Sequence, residues 1–169
     1  MALKTFKPYT KSTRSTILVD RSDLWKGKPE KSLTKFKKRA VGRNNQGRIT
    51  TRHKMMGHKK KYRLIDFRRD KVDVSAEIKR FEYDPYRSAN IMLVEYPDKT
   101  LSYVLGVNGL NIGDKIISAE KSDIQKGNTM LLKHIPAETS VHNIELTPGK
   151  GGILVRSAGS SATVMGQDN

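Results

Sequence analysis

The densest chemistry in this chain lies in residues 42–63, GRNNQGRITTRHKMMGHKKKYR. Arg43, Arg48, Arg52 and Arg63 each offer a planar fork of donors that matches two phosphate oxygens, and Lys59, Lys60 and Lys61 add point charges. Asn44 and Asn45 can bond to phosphate, ribose or base edges. Gly42, Gly47 and Gly57 remove side chains where a backbone must come close to a phosphate. The plain alternative is a solvated basic tail, but such tails are simpler in composition than this mixture of Arg, Asn, Gly, His and β-branched residues.

Other chemistries find less support. His53 and His58 are five apart, a poor helical spacing for a metal, and no cysteine or acidic ligand lies near them. His134 and His142 are candidates by type alone. The acidic pairs Asp20 with Asp23 and Asp66 with Asp70 are flanked by Arg or Lys, so ion pairing is favoured over general acid–base work. Residues 147–152, TPGKGG, lack both the Ser or Thr of a Walker loop and a surrounding βαβ unit, and read as a tight turn near nucleic acid. With no cysteine in 169 residues, a disulfide scaffold, a thiolate zinc site and a cysteine nucleophile are excluded. No catalytic residue, metal or cofactor is expected.

The net charge is +16, from 33 Lys and Arg against 17 Asp and Glu, which points to a polyanionic partner. Its distribution is more informative than its size. Residues 1–71 hold 23 basic and 5 acidic residues, a net of +18, whereas residues 72–169 are at −2. A basic nucleic-acid-binding arm on a near-neutral folded part is the expected organisation. The longest apolar run is Ile91 to Val94, so neither a membrane span nor a secretory leader is expected.

These groups must be positioned by a scaffold. Residues 1–60 show little periodicity and read as an extended arm that orders on its partner, with one or two basic helical turns expected over 33–40. From Tyr62 the pattern changes to short runs rich in Val, Ile and Tyr, broken by turn residues every 8 to 12 positions. Strands are expected at 61–67, 74–83, 89–96, 101–107 and 115–119, with turns at Asp84-Pro85, Pro97-Asp98, Asn108-Gly109 and Gly113-Asp114. Ile91 to Val94 is apolar on both faces and should be central, while residues 101–107 alternate and should bury one face. Five such strands fit a small barrel of the oligonucleotide-binding type. A second set is expected at 130–135, 141–146, 153–155 and 162–165, leaving a module short of strands with an uncovered edge.

Six strings, LKTFKP (3–8), ILVDRSDLWKGKP (17–29), GRNNQGRITTRH (42–53), YRLIDFRRDK (62–71), EYDPYRSANI (82–91) and VHNIELTPGKGG (141–152), closely resemble the bacterial and organellar form of the universal second protein of the large ribosomal subunit. The resemblance runs along the whole chain. It implies a mainly β fold: a basic arm over 1–60, a five-stranded oligonucleotide-binding-type barrel over 61–125, and over 126–169 the first part of an SH3-like barrel. It also implies a structural binder of large-subunit rRNA, flanked by neighbouring ribosomal proteins, that supports subunit association and the architecture of the peptidyl-transferase centre. Matched motif by motif, the rRNA contacts are Arg43, Asn44, Asn45, Arg48, Arg52, His53, His58, Arg63, Arg68 and Arg69, with Trp25, Lys26 and Lys28 in a second motif. Lys54, Lys59, Lys60, Lys61, Lys150 and Arg156 complete the candidate set.

The resemblance also has departures. Met55-Met56-Gly57 stands where the family has a run of glycines. The family's C-terminal extension, with its histidine near the catalytic RNA, has no counterpart, so no role at the reaction centre is assigned. The expectation is therefore the N-terminal half of a split protein, with a second chain carrying the C-terminal part. That arrangement suggests an organelle, the mitochondrion first, with a bacterial cytoplasm as the alternative. Two other function classes compete. A free-standing barrel binding single strands would stack bases on aromatics, but most of the 11 sit at strand positions suited to core packing. An RNA-processing enzyme lacks any evident nucleophile or metal cluster.

Overall fold

The computed structural model describes residues 3–37, 41–55 and 57–166, and the chain is mainly β. Its arm begins with a ladder, β1 (Leu3–Thr5) antiparallel to β2 (Ile17–Val19), joined through a one-turn helix, α1 (Lys11–Ser15). Thr10 starts that turn: its Oγ1 accepts from the Thr13 amide at 3.3 Å, and the Thr13 hydroxyl accepts from the Thr10 amide at 3.0 Å. The apolar residues Ile17, Leu18 and Val19 stay exposed, as expected of an arm without a core of its own.

The helical turns expected over 33–40 are not formed by the described residues: Thr34–Phe36 is a strand, β3, paired antiparallel with β4 (Lys61–Arg63). Residues 38–40 lie outside the described set. The correction has a tertiary cause. Leu33 packs against the buried Ile91, Leu93 and Tyr103, and Leu64 donates to the Leu33 carbonyl at 2.9 Å, so a partner strand overrides local preference.

The central sheet holds β5 (Ala76–Glu82), β6 (Ile91–Glu95), β7 (Leu101–Leu105) and β8 (Lys115–Ile116) in the order β7-β6-β5-β8, all neighbours antiparallel. All five expected strands exist, most of them shorter than their apolar runs. A bulge between Ile78 and Arg80 bends β5 and curls the sheet. One segment then spans both edges: the Asp66 amide donates to the Tyr103 carbonyl on β7 at 2.8 Å, and the Asp73 amide to the Ser118 carbonyl beyond β8 at 2.7 Å.

The period-2 pattern of β6 divides its side chains between two cores. Met92 and Val94 point to one side with Ala76, Ile78, Tyr96, Val104 and Ile116, while Ile91 and Leu93 meet Tyr103, Leu33 and Ile65 on the other. Each fully buried aliphatic side chain contributes about 1.5–3 kcal/mol. In β7 the expected single buried face is corrected: Tyr103 is buried under Leu33 on one side, and Val104 is also buried, packing with Met92, Val94 and Ile116 on the other.

After Gly127 regular structure is sparse. Residues 130–135, expected as a strand, instead contain a short 3-10 helix at Leu132–His134. The His134 and Ile135 amides bond locally, to Leu131 and Leu132, and Pro136 has no amide to give a ladder. The ladder here is β9 (Ser140–Val141) with β10 (Ala162–Thr163), supplemented by an Ile144–Leu154 bridge. This part is tied to the central sheet by the Gly152 amide on the Phe67 carbonyl at 3.1 Å and by the Ala158 amide on the Ser88 hydroxyl at 3.1 Å.

Candidate nucleic-acid interface

The basic stretch folds into a self-satisfied loop. Arg43 and Ile49 form an antiparallel bridge, the Arg48 amide bonds to Asn44 Oδ1 at 2.9 Å, and the Asn44 amide bonds to the Arg48 carbonyl at 3.0 Å. Gly42 accepts from the amides of Thr50 and Thr51 at 2.8 and 3.1 Å. Its φ of +65° lies in the left-handed region, and a Cβ there would run into the Thr51 carbonyl, so glycine is required. Asn44 thus serves the loop through its oxygen. Arg48, Arg52, Lys54 and Lys59 are exposed, and no carboxylate pairs with them among the described residues. Asn45, His53 and His58 are exposed on the same stretch, the last with Nδ1 at 3.0 Å from the Lys59 carbonyl. His53 adopts φ +60°. Met56 lies outside the described residues, and Met55 is 88% exposed.

Several predicted cations are partly engaged. The Arg43 guanidinium bonds back to the Gly47 carbonyl at 2.7 Å, and Arg63 to the Lys61 carbonyl at 2.8 Å. Lys60 reaches the Pro85 carbonyl at 3.5 Å beside the Tyr86 ring, which stands edge-on to Tyr62. Lys61 and Arg68 are exposed. Trp25 is half-exposed and anchored by its amide on the Phe81 carbonyl at 2.8 Å, with Arg80 stacked 4.7 Å from its ring. A Cβ at Gly27 would press on the Trp25 indole, so glycine lets the ring fold over the turn; Lys26 and Lys28 flank it, exposed. Lys150 is exposed in the TPGKGG turn, closed by its amide on Thr147 at 3.1 Å, and Gly151 and Gly152 are buried against Phe67.

One candidate sits differently from the rest. Arg69 is only 5% exposed, and its Nε is buried without a hydrogen-bond partner. Its backbone sits at φ +58° and its amide bonds to Asp66 Oδ1 at 2.8 Å, which turns the side chain inward.

Around the predicted Arg156 the structure also assembles groups that sequence reasoning passed over, Phe67 and Arg87. Phe67 lies between two guanidinium groups, Arg156 at 4.7 Å and Arg87 at 5.6 Å, the first from the C-terminal part and the second from the β5–β6 connection. Arg87 is held by Asp84, fully buried, whose Oδ2 accepts from Nε at 2.6 Å while Oδ1 accepts from the Tyr86 amide at 2.9 Å. The Asp84-to-Arg87 spacing of three within DPYR was the available sign. Arg21, stacked 3.7 Å from the Tyr83 ring, had none. Arranged this way, the surface offers exposed cations for phosphates and rigid Arg–aromatic stacks beside them.

Comparison with known proteins matches residues 30–118 to "Ribosomal Proteins L2, RNA binding N-terminal domain" and residues 125–169 to "Ribosomal Proteins L2, C-terminal domain". Over all 169 residues the chain is 52% identical to "Large ribosomal subunit protein uL2" of Rickettsia felis and of Rickettsia canadensis. It is 53% identical over 168 residues to that of Ehrlichia canis. It spans 62% of the length of the two Rickettsia relatives and 61% of the Ehrlichia one.

Proposed function

Because the chain belongs to the ribosomal protein L2 family, we propose that it is a structural, non-catalytic component of the large ribosomal subunit that binds large-subunit rRNA. The observation that carries this reading is the basic stretch 42–61, folded at 42–51 into a loop closed by its own backbone bonds, in which Arg48, Arg52, Lys54 and Lys59 stand exposed and, among the described residues, unpaired by carboxylates. A loop so charged has no folding reason to carry those cations and is matched to a polyphosphate. Asn45, His53, His58, Lys61, Arg63, Arg68, Trp25, Lys26, Lys28, Lys150 and Arg156 extend the contact surface, and Arg43, Asn44 and Lys60 shape the loop as they touch RNA. The organisation is an arm over 1–60, an oligonucleotide-binding-type barrel over 61–125 and the beginning of an SH3-like barrel from 126. Its place in the subunit, beside other ribosomal proteins, supports subunit association and the architecture around the peptidyl-transferase centre. The remaining family sequence, the part of the relatives beyond the 62% matched here, completes the assembly. The relatives named above are bacterial, which fits the bacterial cytoplasm and lends nothing to the mitochondrial setting.

A free-standing single-strand binder has less behind it, since Tyr96 and Tyr103 are spent on the core. The test is filter binding of the chain to large-subunit rRNA across a salt series. With about 6 to 10 phosphates neutralised, log affinity should fall with log salt at a slope of about −5 to −9. Replacing Arg48 and Arg52 together with Ala should reduce that slope by about 2 units. An unchanged slope would remove the loop from the interface.

A further inference from the structure

Trp25 is the single tryptophan of the chain, and it is 50% exposed, an unfavourable place for the largest aromatic side chain. The ring is nevertheless held in place. Its residue's amide donates to the Phe81 carbonyl, the Arg80 guanidinium stacks 4.7 Å from the ring, and the Gly27 backbone lies against Nε1, Cε2 and Cζ2. Arg80 is fixed in turn, its Nε donating to Glu82 Oε1 at 2.7 Å, and the buried Glu82 accepts the Tyr103 hydroxyl on its other oxygen at 2.9 Å. Through Arg80 the indole is tied to the core, so its orientation is set before any partner arrives.

Folding gains nothing from ordering an indole half in water, whereas a partner that uses an aromatic surface gains from finding it already placed. A phosphate is not that partner, because the face of an aromatic ring carries the negative end of its quadrupole. A nucleobase is, since every base has a π-face that stacks on an indole. Within a helix both faces of a base are covered by its neighbours, so the stacking face must come from an unpaired, splayed-out nucleotide. The surroundings suit such a nucleotide. Lys26 and Lys28 flank the ring, exposed and without a carboxylate pair among the described residues, where the phosphates on either side of it would run. The nearby acids Asp20 and Asp23 turn to the Ser22 hydroxyl, at 3.0 and 3.3 Å. Arg21, exposed, lies 3.7 Å from the Tyr83 ring and starts the turn that the Leu24 amide closes on its carbonyl. An apolar protein surface would have to strip water from these cations, which a polyanion instead neutralises.

We propose that Trp25, backed by Arg80, is a stacking platform for one unpaired nucleobase of the rRNA, with Lys26 and Lys28 on the adjoining phosphates. The inference rests on the rRNA-binding reading above, and it adds the kind of contact made here, a base face instead of a phosphate. The two kinds differ measurably. Phosphate contacts release counterions and set the salt dependence of binding, whereas stacking releases none and adds affinity equally at every salt concentration.

The experiment uses the full chain with two probes, large-subunit rRNA and inorganic polyphosphate, a polyanion without bases. With one tryptophan in the sequence, indole emission reports Trp25 alone. Titration with rRNA should quench that emission by at least about half, and polyphosphate should leave it within about 10%. Trp25→Ala should weaken rRNA binding by about 5- to 100-fold at each salt concentration with the salt slope unchanged, while Trp25→Phe, which keeps a stacking face, should stay within about threefold. Circular dichroism checks that the variants fold, and the emission of the original chain decides the matter even if Trp25→Ala does not. If rRNA binds with its salt slope but emission and the Trp25→Ala affinity stay as they were, the platform is wrong although the rRNA reading stands. If rRNA does not bind the original chain, both fall. Equal quenching by polyphosphate, or a slope reduced by Trp25→Ala, would overturn the base contact in favour of a phosphate one. Emission untouched by rRNA but shielded in assembled large subunits would give Trp25 to a neighbouring protein.

Discussion

Removing one oxygen should loosen the attachment of the arm to the sheet. The Tyr103 side chain is fully buried, and its hydroxyl accepts from the Glu30 amide at 2.9 Å and donates to Glu82 Oε2 at 2.9 Å. Burial pushes this phenol up to about 12, and the adjoining Glu82 carboxylate adds to the rise. Tyr103→Phe keeps the ring and its packing against Leu33 and Ile91 but leaves a backbone N–H and a carboxylate oxygen of the buried Glu82 short of a partner. A hydrogen bond to a charged group is worth about 1.5–3 kcal/mol, and the half-buried Glu30 amide adds about 0.5–1 kcal/mol, for a total of about 2–4 kcal/mol. Arg80 still holds Glu82 Oε1 at 2.7 Å, which limits the loss. Urea unfolding followed by tyrosine fluorescence and circular dichroism should show the midpoint falling at constant slope, and melting should drop by about 5–15 °C. Exchange of the Glu30 amide should accelerate more than that of Ile78 in the core. A stability change under about 0.5 kcal/mol, or a Glu30 amide that exchanges as before, would refute the claim that this hydroxyl ties arm to sheet.

The side-chain hydrogen bond from Lys71, with two more from Thr100, holds the Asp98 carboxyl at about 2, against an ordinary value of 3.8. Its folded value lies below the unfolded one, so its stabilising contribution is present above about pH 4 and is lost as pH falls toward 2; carboxyl NMR should find that midpoint, and Lys71→Met should move it upward. Asp84→Asn takes the counter-charge from the largely buried Arg87 and should cost about 3 kcal/mol in urea unfolding; a cost under 1 kcal/mol would mean that Arg87 finds water instead. Gly152→Ala drives a methyl into the Asn143 side chain and backbone and should cost about 2–3 kcal/mol. Gly149→Ala, with open space around it but φ +78°, should cost only about 1 kcal/mol in the same thermal assay, and equal losses would remove the packing argument.

The existence of the five strands, the central place of Ile91 to Val94, the confinement of charge to the first 71 residues and the basic composition of 42–63 were all legible in the sequence. Each is a property of residue types and local periodicity, and a buried strand must alternate or run apolar wherever it sits. Family motifs such as EYDPYRSANI were equally local, and they led to the L2 family that the comparisons show. Only the tertiary structure decided that Thr34–Phe36 is a strand, that both faces of β7 are covered, and that residues 130–135 turn instead of extending. Those outcomes depend on a neighbour far along the chain, such as the Leu33 side chain lying over Tyr103, which no window of sequence contains. The same limit applied to the site. Arg68 and Arg69 are identical in type and adjacent, yet one is exposed and the other is buried, because a left-handed turn at Arg69, held by Asp66, sends the second guanidinium inward. Sequence set which groups carry charge; the folded backbone decided which of them face water and which one is turned inside.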